Sequence, residues 1–345
     1  MAFSIAEKQE EGKCLVRILF CIRGDYLTNF AGDSRQLLKT ADYLRKKGVS
    51  VTVNCGEITD YKNFDLVHLF NLTRITETYH FFKTAQKFHK PIVITPIYRD
   101  LQKYYRYIGD RQAASLWNCD RAYRREIIKG CQMVYPSSLL EKNALEKDHG
   151  GEFPCCLVYN GTSKPEEPFN SPDFYSKLIS LKPYLFCAAR ICPRKNQLEL
   201  CKVAGQLGLH VVLAGTINSR SYFEQCLGCS NVHYYGVLDE NSLRTVYANA
   251  VLHVLCGFAE TSGLANLEAG LCGTDIVSTS EGCAAEYFGD LSGYCNPYRQ
   301  DDLKRALLSA LSGSRQPSLK QHIEAHFFWE NCLFPLLESY QKLLK

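Results

Sequence analysis

Phe258-Ala-Glu-Thr-Ser-Gly-Leu-Ala-Asn-Leu-Glu-Ala-Gly-Leu-Cys-Gly-Thr274 is the stretch on which the fold turns. An apolar run, Leu252 to Leu255, precedes it, and another, Ile276 to Ser278, follows it. Between them the pattern predicts a helix that starts near Gly263 and runs to Leu271, with Gly273 ending it. Strand, loop, helix and strand in that order is the repeating unit of a parallel sheet covered by helices. Glu260 then precedes the helix and Glu268 lies more than a turn inside it, so the two carboxylates reach different parts of one elongated ligand. The backbone N–H groups from Gly263 to Ala265 are unpaired donors at a helix start, which suit a phosphate.

The same alternation extends in both directions. Toward the C-terminal half it gives strands at Tyr184 to Ala188, Val211 to Ala214 and Val232 to Tyr235. Toward the N-terminus it gives Leu15 to Ile22, Val49 to Val53, Leu66 to Phe70, Ile92 to Thr95, Met133 to Tyr135 and Cys156 to Tyr159. A helix from about Ser34 carries Leu37, Leu38, Ala41 and Leu44 on one face, with Gly48 after its end. The strands are continuously apolar rather than alternating, as expected of a sheet covered on both faces. Asn160 to Asp173, polar and rich in proline, breaks the series and reads as a linker. The fold class is therefore α/β, with two doubly wound Rossmann-like domains facing a central cleft. Ligands of such sheets bind at the carboxyl ends of the strands.

Bulk properties exclude other classes. At 345 residues the chain suits two domains of roughly 150–170 residues. It is 46% apolar and 22% charged, with a formal charge of +4, and a charge this mild does not argue for nucleic acid. No apolar run reaches the ~20 residues of a membrane helix. Met1 to Lys13 is polar and lacks a secretory signal, so the expected location is cytoplasmic. The seventeen cysteines sit inside apolar runs, as in Leu19-Phe20-Cys21-Ile22, and read as small buried hydrophobes of a reduced protein. Cys226 and Cys229 have only His233 nearby, too few ligands for zinc, so no metal site is expected.

Upstream stands Arg190-Ile-Cys-Pro-Arg-Lys195-Asn196, just after the strand that ends at Ala188. Arg190 and Lys195 at the carboxyl end of a strand suit a diphosphate. With Arg-x4-Lys about 70 residues before Glu-x7-Glu and a Cys-Gly-Thr turn after it, the chain resembles glycosyltransferase family 4, retaining enzymes with the GT-B fold. The resemblance extends to Phe30-Ala-Gly32-Asp33, Val158-Tyr-Asn160-Gly161, Tyr235-Gly236-Val237-Leu238 and Phe328-Trp329-Glu330. It implies an acceptor-side domain over residues 1–165, a nucleotide-sugar donor domain over 166–325, and a C-terminal helix over 326–345 that crosses back to the first domain.

The resemblance also implies roles. Arg190 and Lys195 stabilise the departing diphosphate, and Glu260 accepts hydrogen bonds from hydroxyls of the donor sugar. Gly263 and Leu264 offer backbone N–H groups, and Glu268 binds the ribose. Gly32 lets the first-domain backbone approach the diphosphate, and Val237 and Leu238 contact the base. A His that follows the strand before Pro96 in the family is missing from Thr95-Pro96-Ile97-Tyr98, so Tyr98 is the candidate for that sugar or acceptor contact. No Asp-x-Asp occurs, which agrees with a metal-independent reaction without a cofactor, the donor being a nucleotide diphosphate sugar, UDP-sugar favoured.

The expected function is transfer of a hexose, with retention, to a hydroxyl of a glycan or lipid-linked acceptor of a surface polysaccharide pathway. The alternatives are a nucleotide-sugar epimerase on the same fold and a non-catalytic sugar-nucleotide binding subunit. A glycoside hydrolase would also use two carboxylates but needs no diphosphate cluster. His68, inside an apolar strand, reads as a core histidine rather than a base. Tyr98 to Lys129 is basic and aromatic, with Arg121, Arg125 and Lys129 near Trp117. A solvated helical face is the plain reading. The sharper one is a contact with anionic membrane or a lipid-linked diphosphate, peripheral at the inner membrane face.

Overall fold

The computed structural model describes residues 16–164, 176, 178–261, 263–313 and 317–345. Leu15, most of the Asn160 to Asp173 linker and Ser262 of the Glu-x7-Glu stretch lie outside the described residues. The chain divides into two compact units. One comprises residues 1–105, 110–160 and 329–345, and the other residues 106–109 and 161–328.

In the first unit β1 (Arg17–Cys21), α1 (Gly32–Lys46), β2 (Ser50–Asn54), β3 (Leu66–Phe70), α2 (Ile75–Lys87) and β4 (Ile92–Thr95) alternate in chain order. Three short helices follow, α3 (Gln102–Tyr107), whose last two residues fall in the second unit, α4 (Arg111–Cys119) and α5 (Arg121–Gly130), then β5 (Met133–Val134) and α6 (Leu139–His149). The sheet is parallel in the order β2-β1-β3-β4-β5. Every residue of β3 and β4 is buried, the consequence of helices on both faces. Leu19, Val67, Leu69, Phe82, Ile94, Ile127 and Leu145 form its core.

The second unit runs β6 (Tyr184–Ala188), α7 (Gln197–Gln206), β7 (His210–Ala214), α8 (Arg220–Leu227), β8 (Val232–Tyr234), α9 (Glu240–Asn249) and β9 (Leu252–Leu255). It continues with α10 (Leu264–Leu271), β10 (Asp275–Thr279), α11 (Ala284–Phe288), β11 (Gly293–Cys295), α12 (Asp302–Ser312) and α13 (Pro317–His326). Its sheet is also parallel, ordered β11-β10-β9-β6-β7-β8. Successive strands step outward one way from β6 and the other way from β9, so the order reverses between those two. The second sheet thus has its switch point there, and the first sheet has one between β1 and β3.

The last helix, α14 (Trp329–Leu343), belongs to the first unit and packs on α1. His68 is wholly buried there, with Nδ1 bonded to the Tyr340 hydroxyl and Nε2 2.8 Å from Thr95 Oγ1. It is a core histidine that fastens α14 to the sheet. Cys156 to Tyr159 is not a strand. The segment follows β5 as a parallel neighbour with a single bridge, Val134 to Cys155. Pro136 and Pro154 on the two segments have no N–H, so a regular ladder cannot extend. The strand β11 at the sheet edge is an element the sequence pattern did not mark, since Gly293-Tyr-Cys295 is short and begins with glycine.

Candidate active site

Because β6 and β9 are neighbours, the loops that leave their carboxyl ends meet. After β6 the chain makes a single 3-10 turn over Pro193–Lys195, and Asn196 follows in the left-handed region at φ 58°. The two loops are stitched together by backbone. Phe258 N–H donates to the Arg194 carbonyl at 2.9 Å, and the Arg194 guanidinium donates to the Ala259 carbonyl at 2.5 Å. That stitching places Lys195 against Glu260, with Nζ 2.5 and 2.7 Å from the two carboxylate oxygens. Glu260 is 7% exposed, and its N–H donates to the Glu281 carbonyl from the loop after β10.

Burial alone would raise the Glu260 carboxyl. The charges of Lys195, Arg194 and Arg190 outweigh it and hold the group below its ordinary value. An ammonium has three protons; two of them face Glu260, and the third is available to an anion. Gly257 is required by this geometry, because a Cβ there would stand 2.8 Å from Glu260 Oε1 and 3.1 Å from the Arg194 carbonyl.

Gly263 caps α10 in the left-handed region at φ 66°, and Leu264 is the first helical residue. The helix start is tied down by Asn266, to which the sequence alone assigns no role. Its Oδ1 is 2.9 Å from His253 Nδ1 and its Nδ2 donates to Ser278 Oγ at 2.9 Å. Ala188 N–H points at His253 Nε2, which fixes the proton on Nδ1. Burial lowers the His253 pKa to about 3, so the ring is neutral. One side chain thereby joins α10 to β9 and β10 and, through His253, to β6. Only burial of two adjacent polar residues distinguishes it, and the sequence carries no direct signal of that.

Glu268 sits a turn into α10, half-buried, with the Tyr247 hydroxyl 3.4 Å from Oε2. Arg190 follows β6 and is half-buried, and its carbonyl accepts from Gln197 Nε2 at 2.8 Å. Val237, 66% exposed, and Leu238 follow β8 after Gly236, which has φ 72°. The structure therefore joins Lys195 directly to Glu260, and Arg190 acts on that carboxylate through its charge. Val237 and Leu238 lie on the loop after the sheet's far strand.

In the first unit Gly32 opens α1 at the β1–β3 switch point. Its loop is shaped by Arg23, another residue the sequence reading missed. The Arg23 guanidinium is 2% exposed and bonds Asp33 twice, at 2.8 and 2.9 Å, and Asp25 at 2.7 Å. Asn71, at the end of β3, donates to Asp33 from the other side at 2.8 Å. Tyr98 does not fit a sugar contact. It is 1% exposed, stacks on Trp117, and donates its hydroxyl to Asp148 at 2.6 Å, so the ring fills the core under α4 and α6. An aromatic after a strand packs inward when apolar helices cover it, and that is what happens here.

Residues 174–326 match the family model described as glycosyl transferases group 1. No curated protein matches the chain in sequence. Among solved structures, sucrose-phosphate synthase from Thermosynechococcus elongatus is similar at 16% identity and a TM-score of 0.76, over 95% of this chain and 98% of that one. HepE from Anabaena in complex with UDP and glucose is similar at 15% identity and a TM-score of 0.73, over 95% and 100%. WaaG, a glycosyltransferase involved in lipopolysaccharide biosynthesis, is similar at 17% identity and a TM-score of 0.66, over 95% and 99%. At these identities the likeness establishes the GT-B fold of two parallel-sheet Rossmann-like domains. With a glycosyl transferases group 1 domain over residues 174–326 set in that fold, the chain is a glycosyltransferase.

Proposed function

We propose that the protein transfers a hexose, with retention of configuration, from a nucleotide diphosphate sugar to a hydroxyl of a glycan or lipid-linked acceptor. The observation that carries this reading is the Lys195–Glu260 pair at the switch point of the second sheet, one turn of chain before the Gly263 cap of α10. The Lys195 ammonium and the Arg190 guanidinium neutralise the diphosphate as the glycosidic bond breaks, a charge that grows toward the transition state. Glu260 accepts from sugar hydroxyls, Glu268 from the ribose, and the N–H groups at Gly263 and Leu264 meet phosphate. Val237 and Leu238 border the base, and Gly32 leaves the first-unit backbone open to close approach. No protein nucleophile is assigned. The leaving phosphate oxygen takes the acceptor proton as the new bond forms on the same face. The absence of Asp-x-Asp from the sequence supports a reaction without a metal clamp.

The neighbour solved with UDP and glucose supports a UDP-sugar donor, and the neighbour involved in lipopolysaccharide biosynthesis supports a surface polysaccharide pathway. No helix among the described residues is long and apolar enough to cross a membrane. Leu116 and Tyr123, both exposed among the basic residues of α4 and α5, support a peripheral contact with an anionic membrane. The test is hydrolysis and transfer across a panel of nucleotide sugars, with the anomer of the product read by NMR. A UDP-hexose giving product of the donor's configuration is the expected result. An inverted product, or epimerisation of the donor without transfer, would overturn it.

A further inference from the structure

The first unit contains a cleft of about 750 Å³ whose walls come from α5 and the ends of α4 and α6. Four cations line it, Arg121, Arg125, Lys129 and Lys147, and His149 belongs to its wall. Two carboxylates also face it, and both are engaged. Glu126 accepts from the Tyr79 hydroxyl at 2.8 Å and from Lys83 at 3.1 Å. Asp148 accepts from the Tyr98 hydroxyl at 2.6 Å, with Arg121 at 3.7 Å. Arg125, Lys129 and Lys147 make no hydrogen bond or ion pair among the described residues. Three like charges gathered without partners repel one another, which costs stability unless an anion joins them.

His149 supplies an independent sign. It is 4% exposed, and neither ring nitrogen has a hydrogen-bond partner among the described residues. A buried polar group left so costs roughly 1–3 kcal/mol, and a ligand oxygen would remove that cost. Gly150 closes α6 at φ 78°, and a Cβ there would stand 3.2 Å from Arg125 Nη2. The glycine thus lets the guanidinium lie close against the helix end beside His149.

We propose that this cleft binds a phosphate-bearing anion, held by Arg125, Lys129 and Lys147 with His149 as a further donor. A guanidinium matches two phosphate oxygens at once, and the lysines add point charge. The cleft is within the size range of sites for small organic ligands. The assignment does not rest on the transferase reading, since it uses none of the residues of the second unit.

Calorimetric titration of the full chain with inorganic phosphate and pyrophosphate tests it. Pyrophosphate is expected to bind the Lys195→Ala variant, in which the proposed donor site is weakened, and to bind that variant at least 10-fold more weakly once the two substitutions of the Arg125→Ala/Lys147→Ala double variant are added. Binding that is lost in Lys195→Ala and kept in the double variant would overturn the proposal, as would no binding at all. Co-sedimentation with phosphatidylglycerol vesicles separates the sources. A headgroup ligand gives vesicle binding that pyrophosphate displaces and the double variant lacks; a soluble ligand gives pyrophosphate binding with no effect on vesicles. If the double variant does not fold, the imidazole resonances of His149 in the wild type decide. Pyrophosphate should shift them, and unmoved resonances at saturation would refute the site.

Discussion

Removing the Lys195 ammonium should damage turnover and stability by separate amounts, and the structure sets both. The pair is buried, with side-chain exposures of 14% for Lys195 and 8% for Glu260. Deleting one partner of a buried pair strands the other charge, at a cost of roughly 3–5 kcal/mol. Arg194 and Arg190 still act on Glu260, so the lower end, about 3 kcal/mol, is expected for Lys195→Ala. Turnover should fall ~10²-fold or more, the usual cost of one strong charge-stabilising donor. The Lys195→Ala/Glu260→Gln double variant separates the effects. It leaves no stranded carboxylate, so most of the lost stability should return, and the lost turnover should not. The sign with pH follows from the carboxylate. Its folded pKa is held low, so the pair stabilises the protein above the ordinary Glu value and loses that contribution as pH falls through the folded one. Urea unfolding and initial rates on the same preparations measure both quantities. A folded Lys195→Ala enzyme with near-normal turnover removes Lys195 from the site, and recovery of turnover in the double variant would reduce the pair to a structural contact.

Gly257→Ala should disturb the same pair without removing a charge. The new methyl meets Glu260 Oε1 and the Arg194 carbonyl, so a fall in turnover at near-constant thermal midpoint is expected, and unchanged kinetics would sink the steric argument. Acid should weaken both units through buried neutral histidines. His68 and His253 are lowered by burial to about 3, and His149 by burial and its arginine neighbours to about 4. The unfolded chain takes up these protons first, so stability is full above pH ~6.5 and drains below it, at about 1.4 kcal/mol per pH unit per histidine. The first unit, with two buried histidines, should lose more steeply than the second, where buried His253 is joined by half-buried His233, also lowered by burial and by His210; a urea midpoint that stays flat from pH 6.5 to 4.5 contradicts this. Transfer should persist in excess chelator, and complete loss restored by magnesium or manganese would refute a metal-free reaction.

The architecture was legible because it rests on apolar runs, which the sequence displays directly. β3, β4, β6 and β9 fall where the runs predict them, and all their residues but Ala188 are buried. Cys156 to Tyr159 shows the limit of that signal. Its residues are apolar enough for a strand, but the prolines on the two facing segments deny it a ladder. The Lys195–Glu260 contact was approachable because a charge after each of two neighbouring strands points to one place. Asn266 and Arg23 were not. Each earns its position through side-chain partners on other elements, Ser278 on β10 for Asn266 and Asp33 on α1 for Arg23. Tyr98 was misplaced for a related reason. Position after a strand says nothing about which way a side chain turns, and the Trp117 ring decides it.

Each sheet puts a cation at its switch point, buried Arg23 in the first and half-buried Lys195 in the second, yet the two differ in what they have left to give. Arg23 donates Nε and Nη2 to Asp33, Nη1 to Asp25, and Nη2 also to the Asn29 carbonyl and Ser34 Oγ. Nearly every proton of its guanidinium is committed within the loop, so its work is to hold the β1–α1 turn in shape. Lys195 commits two protons to one carboxylate and keeps a third. Glu260, held ionised by the same ammonium together with Arg194 and Arg190, acts only as an acceptor. Donor capacity therefore remains beside a carboxylate at the second switch point and is spent at the first. In the proposed reaction that asymmetry puts the charge chemistry of transfer in the second unit and leaves the first to shape backbone.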